Sequence, residues 1–587
     1  LERKEYYPTD EIIASLEQVL KEKPNLDFIT FAGSGEPTLH TGLGKIISFI
    51  KNKYPQYKVA VLTNATLLND PSVIQDLGKA DLIVPSLDAV SMEAFQKINR
   101  PAANLTPETI ISGIKNLKNN SGTAGILGIS YPGWLALVGA VDPHPALKAS
   151  SEQACMSDLF LGDDFHHNGA FRLSYGFEYT YSVESDKTTD NEFPFHQYDL
   201  YDWYLKLGSL KNVNEKYFHK KIPTWNDFVN HPGYDSFWQK KSPLSYVPYA
   251  QIPQLHVGGY YDQEDVNGPQ LMYAHMEKKD KAGYNHIVLG PWNHGQWASQ
   301  KADSLGKISF ESKTAVWFHA LQKKWFDYWL KGIGDGKFEE AYCFQTGSNQ
   351  WKTYSAWPPK EVTIQKLYAG AGNTCSFTKP SSATGFVSYT SDPAKPVPYR
   401  TLPIEMTYGE GSRWRQWQVE DQRFVYSRPD VVSFTMDTLK EDLTVTGKIM
   451  AHLFASTSGT DADWVVKLID VYPAVDEKSL SMSGYQLPVA MEVFRGRFRK
   501  SFSNPSPLVP NKPEEFIIDL HDINHTFKKG HRLMIQVQSS WFPVIDRNPQ
   551  KYVPNIFEAK ESDFIKAEQR IYFSAKYPTY IELPVAR

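Results

Sequence analysis

Gly128-Ile129-Ser130-Tyr131-Pro132-Gly133 follows the short apolar run Ala124-Gly125-Ile126-Leu127 and leads into Trp134-Leu135-Ala136-Leu137-Val138. A buried strand that hands over to a helix through such a turn reads as a nucleophile elbow. The turn needs glycines where a Cβ would clash, and it pushes the serine hydroxyl out at the C-terminal end of the strand, over the positive end of the helix. Pro132, in the first helical turn, gives up no N–H that the helix needs. By itself the string is a weak signal that fits an ordinary strand-to-helix turn better than a nucleophile elbow, so Ser130 gains meaning only from partners elsewhere.

Those partners stand downstream. Pro253-Gln254-Leu255-His256-Val257-Gly258-Gly259 runs into Tyr260-Tyr261-Asp262-Gln263-Glu264-Asp265, and Asn285-His286-Ile287-Val288-Leu289-Gly290 runs into Pro291-Trp292-Asn293-His294-Gly295. Serine is a poor nucleophile until a base takes its proton, and the base must be oriented by an acid. Ser130, Asp262 and His294 each lie just past a strand, and in a parallel sheet those ends share one rim. The chain order Ser, Asp, His is that of α/β-hydrolases. Taken singly, Asp262 reads as a solvated loop acid and His294 as a loop histidine bonded to backbone.

Outward from the elbow, residues 1–120 alternate strands (Leu26–Phe31, Lys58–Leu62, Ala80–Leu87) with amphipathic helices near 10–22, 42–54, 91–98 and 106–119, a parallel βα series. Polar residues at 118–123 suggest a boundary. A second region, 121–337, carries strands at Leu147–Ala154, Pro253–Gly259 and Asn285–Gly290. An aromatic-rich insertion near 176–250, with Trp203, Trp225 and Trp238, reads as a helical cap. It ends on an amphipathic helix, 314–332, closed by Gly332. From 338 to 587 the period becomes two: Leu443 and Val445 alternate with Thr444 and Thr446, and Leu533, Ile535 and Val537 with Arg532, Gln536 and Gln538. The expected architecture is an α/β domain with a helical cap, followed by a β-sandwich of jelly-roll type.

Composition narrows the partners. Lys+Arg 62 against Asp+Glu 66 leaves a net charge of −4, the wrong sign for a phosphate-backbone binder, so no nucleic acid is expected. No stretch of 18 apolar residues suits a membrane span. Cys155, Cys343 and Cys375 are too few and too scattered for a disulfide framework, a zinc site or an iron–sulfur cluster, so no metal or cofactor is expected. With no signal-like run at its start the chain reads as cytoplasmic, or as periplasmic or secreted if a leader precedes residue 1.

The residues of 121–587 resemble the cocaine esterase and α-amino acid ester hydrolase family, related to X-Pro dipeptidyl peptidases. The resemblance rests on the elbow, Gly162-Asp163-Asp164-Phe165-His166-His167-Asn168-Gly169-Ala170-Phe171, the Tyr261–Asp265 loop, Gly290–His294, Asp461-Ala462-Asp463-Trp464 and Ser539-Ser540-Trp541-Phe542-Pro543. It implies an α/β-hydrolase domain with cap and jelly roll, Ser130 as nucleophile, His294 as base and Asp262 as orienting acid. It also implies a carboxylate cluster, Asp164, Glu264 and Asp265, receiving a substrate α-ammonium, and it suggests self-association. The alternative for those residues is a turn-capping Asp164 beside solvated Glu264 and Asp265.

The expected activity is acyl-enzyme hydrolysis of small esters or amides. α-Amino acid esters come first and β-lactam side-chain acyl groups second; X-Pro dipeptidyl peptidase-type activity and a silent binding scaffold are the alternatives. One oxyanion donor is the backbone N–H of Tyr131. In the family the other is a tyrosine hydroxyl upstream of the elbow, and here Tyr6, Tyr7, Tyr54 and Tyr57 lack its context. Residues 1–120 resemble instead a radical SAM segment, through Thr30-Phe31-Ala32-Gly33-Ser34-Gly35-Glu36-Pro37-Thr38 and Leu62-Thr63-Asn64-Ala65-Thr66-Leu67-Leu68. That family's cluster demands a Cys-x3-Cys-x2-Cys motif, and no cysteine precedes Cys155, so a plain βα scaffold joined near 118–123 is expected.

Overall fold

Strand β4 (Ala124–Ile129), which carries the elbow, is the outermost strand of its sheet in the computed structural model. The structure describes residues 2–26, 28–32, 35–87, 92, 95–96, 105–121, 123–186 and 190–586. Gly33, Ser34, Gly122 and most of the helix expected at 91–98 lie outside them.

The chain forms two compact units, Leu1–Ile126 with Asp142–Ala149, and Leu127–Val141 with Ser150–Arg587. In the first, β1 (Phe28–Phe31), β2 (Lys58–Thr63) and β3 (Leu82–Pro85) form a parallel sheet in the order 1-2-3. Helices Thr9–Lys21, Leu43–Lys53 and Pro71–Leu77 accompany it, and Ile46, Ile47, Ile50, Val59, Val61 and Leu77 share its core. The helix Pro107–Ser121 runs through most of the polar stretch expected to be a break.

A six-stranded sheet has the order β9-β8-β7-β6-β5-β4, with β5 Leu147–Gln153, β6 Gln254–Gly259, β7 Asn285–Gly290, β8 Ala341–Gln345 and β9 Gln350–Tyr354; β6 to β9 and the C-terminal halves of β4 and β5 belong to the second unit. β5, β6, β7 and β8 pair in parallel, β6 and β7 in register from Gln254↔Asn285 to Gly259↔Gly290, and β9 pairs antiparallel with β8. β6 and β7 are buried along their whole length, as strands covered on both faces must be. β4 is only partly buried, and Leu127 is 46% exposed. Helix Thr314–Lys331 ends on Gly332 at φ 66°, the left-handed cap read from the sequence. The cap contains helices Leu173–Glu184, Leu200–Leu207, Pro223–Asn230 and Ser236–Lys241, packed through Phe171, Phe177, Trp203, Trp225 and Trp238.

The C-terminal β-sandwich is built on long antiparallel pairs, Leu443–Thr457 with Glu514–Phe527, and Asp463–Val471 with both Gln486–Arg495 and Arg532–Gln538. The strand expected from the period of two forms at Arg532–Gln538, and along it Gln536 and Gln538 are as buried as Ile535 and Val537. Their side-chain carbonyls, with that of Gln422, accept hydrogen bonds from the buried ammonium of Lys467 at 2.7–3.1 Å. Both faces of that strand are thus interior, one of them polar and satisfied. One core runs from Tyr260, Ile287 and Leu289 of the α/β region into Phe434, Leu468 and Ile535 of the sandwich. Among the described residues no helix is long and apolar enough to cross a membrane.

Candidate active site

Ser130 sits at φ 64°, ψ −129°, a conformation that non-glycine residues almost never adopt outside strained functional turns. Its N–H donates to Gln153 O of β5 (2.8 Å), and its carbonyl accepts from Trp134 N (3.0 Å), so strand and helix both hold the turn. The two glycines are steric necessities: a Cβ on Gly128 would lie 2.1 Å from Pro132 O, and one on Gly133 2.4 Å from Gln153 O. Tyr131 opens the helix Tyr131–Gly139, where a first-turn N–H has no intrahelical acceptor.

The acid and base of the expected triad meet. His294 Nδ1 lies 2.9 and 3.0 Å from the two carboxylate oxygens of Asp262, which is completely buried. Asp262 Oδ1 also accepts the backbone N–H groups of Glu264 and Asp265, each at 2.9 Å, so its geometry is fixed by its own loop. His294 N donates to Gln263 Oε1 (3.1 Å), and Asn293 Nδ2 to Arg415 O (2.8 Å). Burial opposes ionisation of Asp262, but the imidazolium, its hydrogen bond and the two N–H donors hold the carboxyl below its ordinary range. Burial likewise disfavours the imidazolium, yet Asp262 and Glu264 outweigh it and raise His294 to about 10.

The serine stands differently. Among the described residues Ser130 Oγ makes no hydrogen bond to His294, although the histidine loop touches the elbow: a Cβ on Gly295 would be 3.6 Å from Ile129 Cγ2. His294 Nε2, the nitrogen that would serve Ser130, lies 3.6 Å from Glu264 Oε2 instead. In free hydrolases this contact is commonly long and tightens with substrate.

The three carboxylates expected to form a cluster converge here. Asp164, in the left-handed region at φ 43°, donates its N–H to Glu264 O (3.2 Å). The Tyr175 hydroxyl donates to Asp164 Oδ1 at 2.8 Å and lies 3.4 Å from Glu264 Oε2, and Trp414 Nε1 donates to Glu264 Oε1 at 3.1 Å. Asp265 Oδ2 is 4.0 Å from His294 Nδ1, and among the described residues neither Asp265 oxygen has a hydrogen-bond partner. The reading of Glu264 and Asp265 as solvated acids is therefore excluded: they are 7% and 0% exposed. Burial pushes Asp164 up to about 7, and burial with the neighbouring Asp164, Asp163, Asp262 and Glu264 charges pushes Asp265 well above the carboxylate range.

Sequence reasoning missed Arg172, Tyr175, Trp414 and Gln418. Tyr175 lies one helical turn past the quoted Gly162–Phe171 stretch. Trp414 and Gln418 come from a 3-10 segment (Trp414–Val419) some 150 residues downstream, and no local pattern ties them to Glu264 or to Asp262 O, which Gln418 Nε2 bonds at 3.2 Å. Of the upstream tyrosines, Tyr57 donates to Pro24 O and Tyr6 to Glu2 O.

Comparison with known proteins follows this geometry. The model of the X-Pro dipeptidyl-peptidase (S15 family) matches residues 106–296, a span that contains Ser130, Asp262 and His294, and that of the X-Pro dipeptidyl-peptidase C-terminal non-catalytic domain matches 332–582. An α-amino acid ester hydrolase of known structure is 41% identical, with a TM-score of 0.77 over 80% of this chain and 78% of its own. The chain belongs to the CocE/NonD family. An aminopeptidase from a marine sediment Thaumarchaeota archaeon, also 41% identical, superposes with a TM-score of 0.79 over 81% of this chain and 78% of its own. Cocaine esterase of Rhodococcus sp. is 26% identical over 488 residues, 79% of this chain and 81% of that protein. CocE/NonD membership makes the chain a serine hydrolase of esters or peptides. The radical SAM superfamily model matches residues 1–132, overlapping the hydrolase match by the stretch that includes the elbow. There Glu36 is spent locally, its oxygens accepting from Thr38 (2.6 and 3.0 Å), Thr63 Oγ1 (2.6 Å) and Asn64 N (2.6 Å).

Proposed function

We propose that this CocE/NonD hydrolase cleaves acyl compounds bearing a free α-amine, α-amino acid esters foremost, with Ser130 as nucleophile, His294 as base, Asp262 as orienting acid and Asp164, Glu264 and Asp265 as the ammonium site. The observation that carries the reading is the buried cluster itself, above all Asp265, whose two oxygens are buried without a hydrogen-bond partner. Such a group rests protonated in the free site, and an arriving ammonium beside it offsets the neighbouring negative charges and favours its ionised form. Two relatives of equal identity bear names that share this chemistry, an α-amino acid ester hydrolase and an aminopeptidase.

The reaction runs in two halves. Ser130 Oγ attacks the acyl carbonyl while His294 Nε2 takes the hydroxyl proton; the oxyanion meets Tyr131 N–H, and the proton passes to the departing alkoxide as the C–O bond breaks. Water then attacks the acyl-enzyme, His294 again takes and returns a proton, and the amino acid leaves with Ser130 restored. In the free site His294 is the cation that faces Glu264; an incoming ammonium replaces it there and frees the imidazole to act as base.

A free-amine ester should turn over with Ser130 intact and not at all in Ser130→Ala, and a fluorophosphonate should label Ser130; turnover by Ser130→Ala would remove the nucleophile assignment. Parallel assays on an amino acid ester and the matching anilide separate esterase from aminopeptidase, the second reading that the archaeal relative favours.

A further inference from the structure

Arg172 is 2% exposed, and among the described residues its guanidinium pairs with no carboxylate. It faces backbone instead. Nη1 donates to Asp164 O at 2.9 Å and to Glu264 O at 3.3 Å, and Nη2 donates to Gln263 O. One planar fork therefore ties together the two chain segments, about 100 residues apart in sequence, that present Asp164 and Glu264. The guanidinium lies over the rings of Tyr175 (4.7 Å) and Trp414 (5.5 Å), which are nearly parallel at 16° with centroids 6.0 Å apart. Those two residues are the ones whose polar hydrogens reach Asp164 and Glu264.

From this arrangement we infer that Arg172 is a positioning residue for substrate amine recognition: its fork sets the spacing of Asp164 and Glu264, and its stacked rings aim the donors that hold their carboxylates. The inference rests on the ammonium-site reading given above. A guanidinium is required because only a rigid fork can serve three carbonyls while lying flat on two rings; a lysine ammonium keeps the charge and loses both properties. Its positive charge also opposes mutual repulsion within the cluster, as the lowering influence of Arg172 on Asp164 indicates.

The test compares Arg172→Lys, Arg172→Gln and Glu264→Gln on an α-amino acid ester and its des-amino counterpart, with fluorophosphonate labelling of Ser130 as the measure of an intact site. The expected result is that Arg172→Lys, still labelled by the probe, loses about tenfold more kcat/KM on the amino ester than on the des-amino ester, chiefly through KM. Arg172→Gln should lose more and Glu264→Gln at least as much. If Glu264→Gln shifts the ratio and Arg172→Lys leaves it within twofold, Arg172 has no positioning role. If neither shifts it, the ammonium site itself is wrong and the inference falls with it. Failure of both Arg172 variants to give labelled, folded protein would assign the residue to folding and overturn the proposal.

Discussion

Asp262→Asn removes one charge from the site and almost no volume. In the wild-type chain Oδ1 accepts two backbone N–H groups and His294 Nδ1, all at 2.9 Å, and Oδ2 accepts Nδ1 at 3.0 Å. The asparagine oxygen can keep the two backbone bonds, so the loop should hold. Its amide then points a donor at Nδ1, which must become an acceptor, and the ring proton moves to Nε2, the nitrogen that has to accept from Ser130. In triad enzymes this tautomer error costs about 10⁴ in kcat, or about 5.4 kcal/mol at 1.36 kcal/mol per factor of ten. The imidazolium also loses its main counter-charge, so His294 should titrate well below its present value of about 10. The assay is kcat on an α-amino ester at neutral pH beside the second-order rate of fluorophosphonate labelling, with circular dichroism to confirm the fold. A loss of at least 10³ in both is expected, and a loss below tenfold would refute the triad as the catalytic unit.

Two further outcomes follow from buried charges. The base must be neutral, and His294 in the free site loses its proton only near pH 10, so kcat/KM for a des-amino ester should climb with pH toward about 10. The amino ester should begin its rise earlier, because its ammonium displaces the imidazolium from Glu264, and fall once its own amine deprotonates near about 8; superimposable profiles would contradict the ammonium site. Burial pushes Glu178 up to about 8 from an ordinary 4.5, while it accepts from the Tyr204 hydroxyl (2.9 Å) and Thr407 N (2.6 Å). The folded state therefore binds the extra proton, giving a stabilisation that is complete below pH 4.5 and lost as pH rises through about 8. Glu178→Gln should raise the thermal midpoint above pH 8 by the equivalent of roughly 2–4 kcal/mol and change it little near pH 5; equal shifts at both would show that the carboxyl is not neutral in the native protein.

Local sequence carried much of this molecule because several features are set by steric rules of a few residues. Gly128 and Gly133 announce the elbow since no Cβ fits against Pro132 O or Gln153 O. Asp262 and His294 were legible because each follows an apolar strand of parallel-sheet type. Gly332 ends its helix for the same backbone reason. The period of two in Arg532–Gln538 marks a strand but not the surroundings of its polar face, and only the packed sandwich reveals Lys467 buried against Gln536 and Gln538.

What no window of sequence could decide is what meets across the fold. That Asp164 and Glu264 share Tyr175 and Arg172, that Trp414 reaches in from the sandwich region, and that His294 Nε2 faces Glu264 while Ser130 Oγ stands unbonded are long-range facts. The same holds for β4, whose place at the sheet edge depends on which strands pair with it. Backbone sterics act between near neighbours and leave their mark in composition and spacing. Electrostatic convergence acts between groups that only the packed chain brings together, and it leaves no mark until the chain has folded.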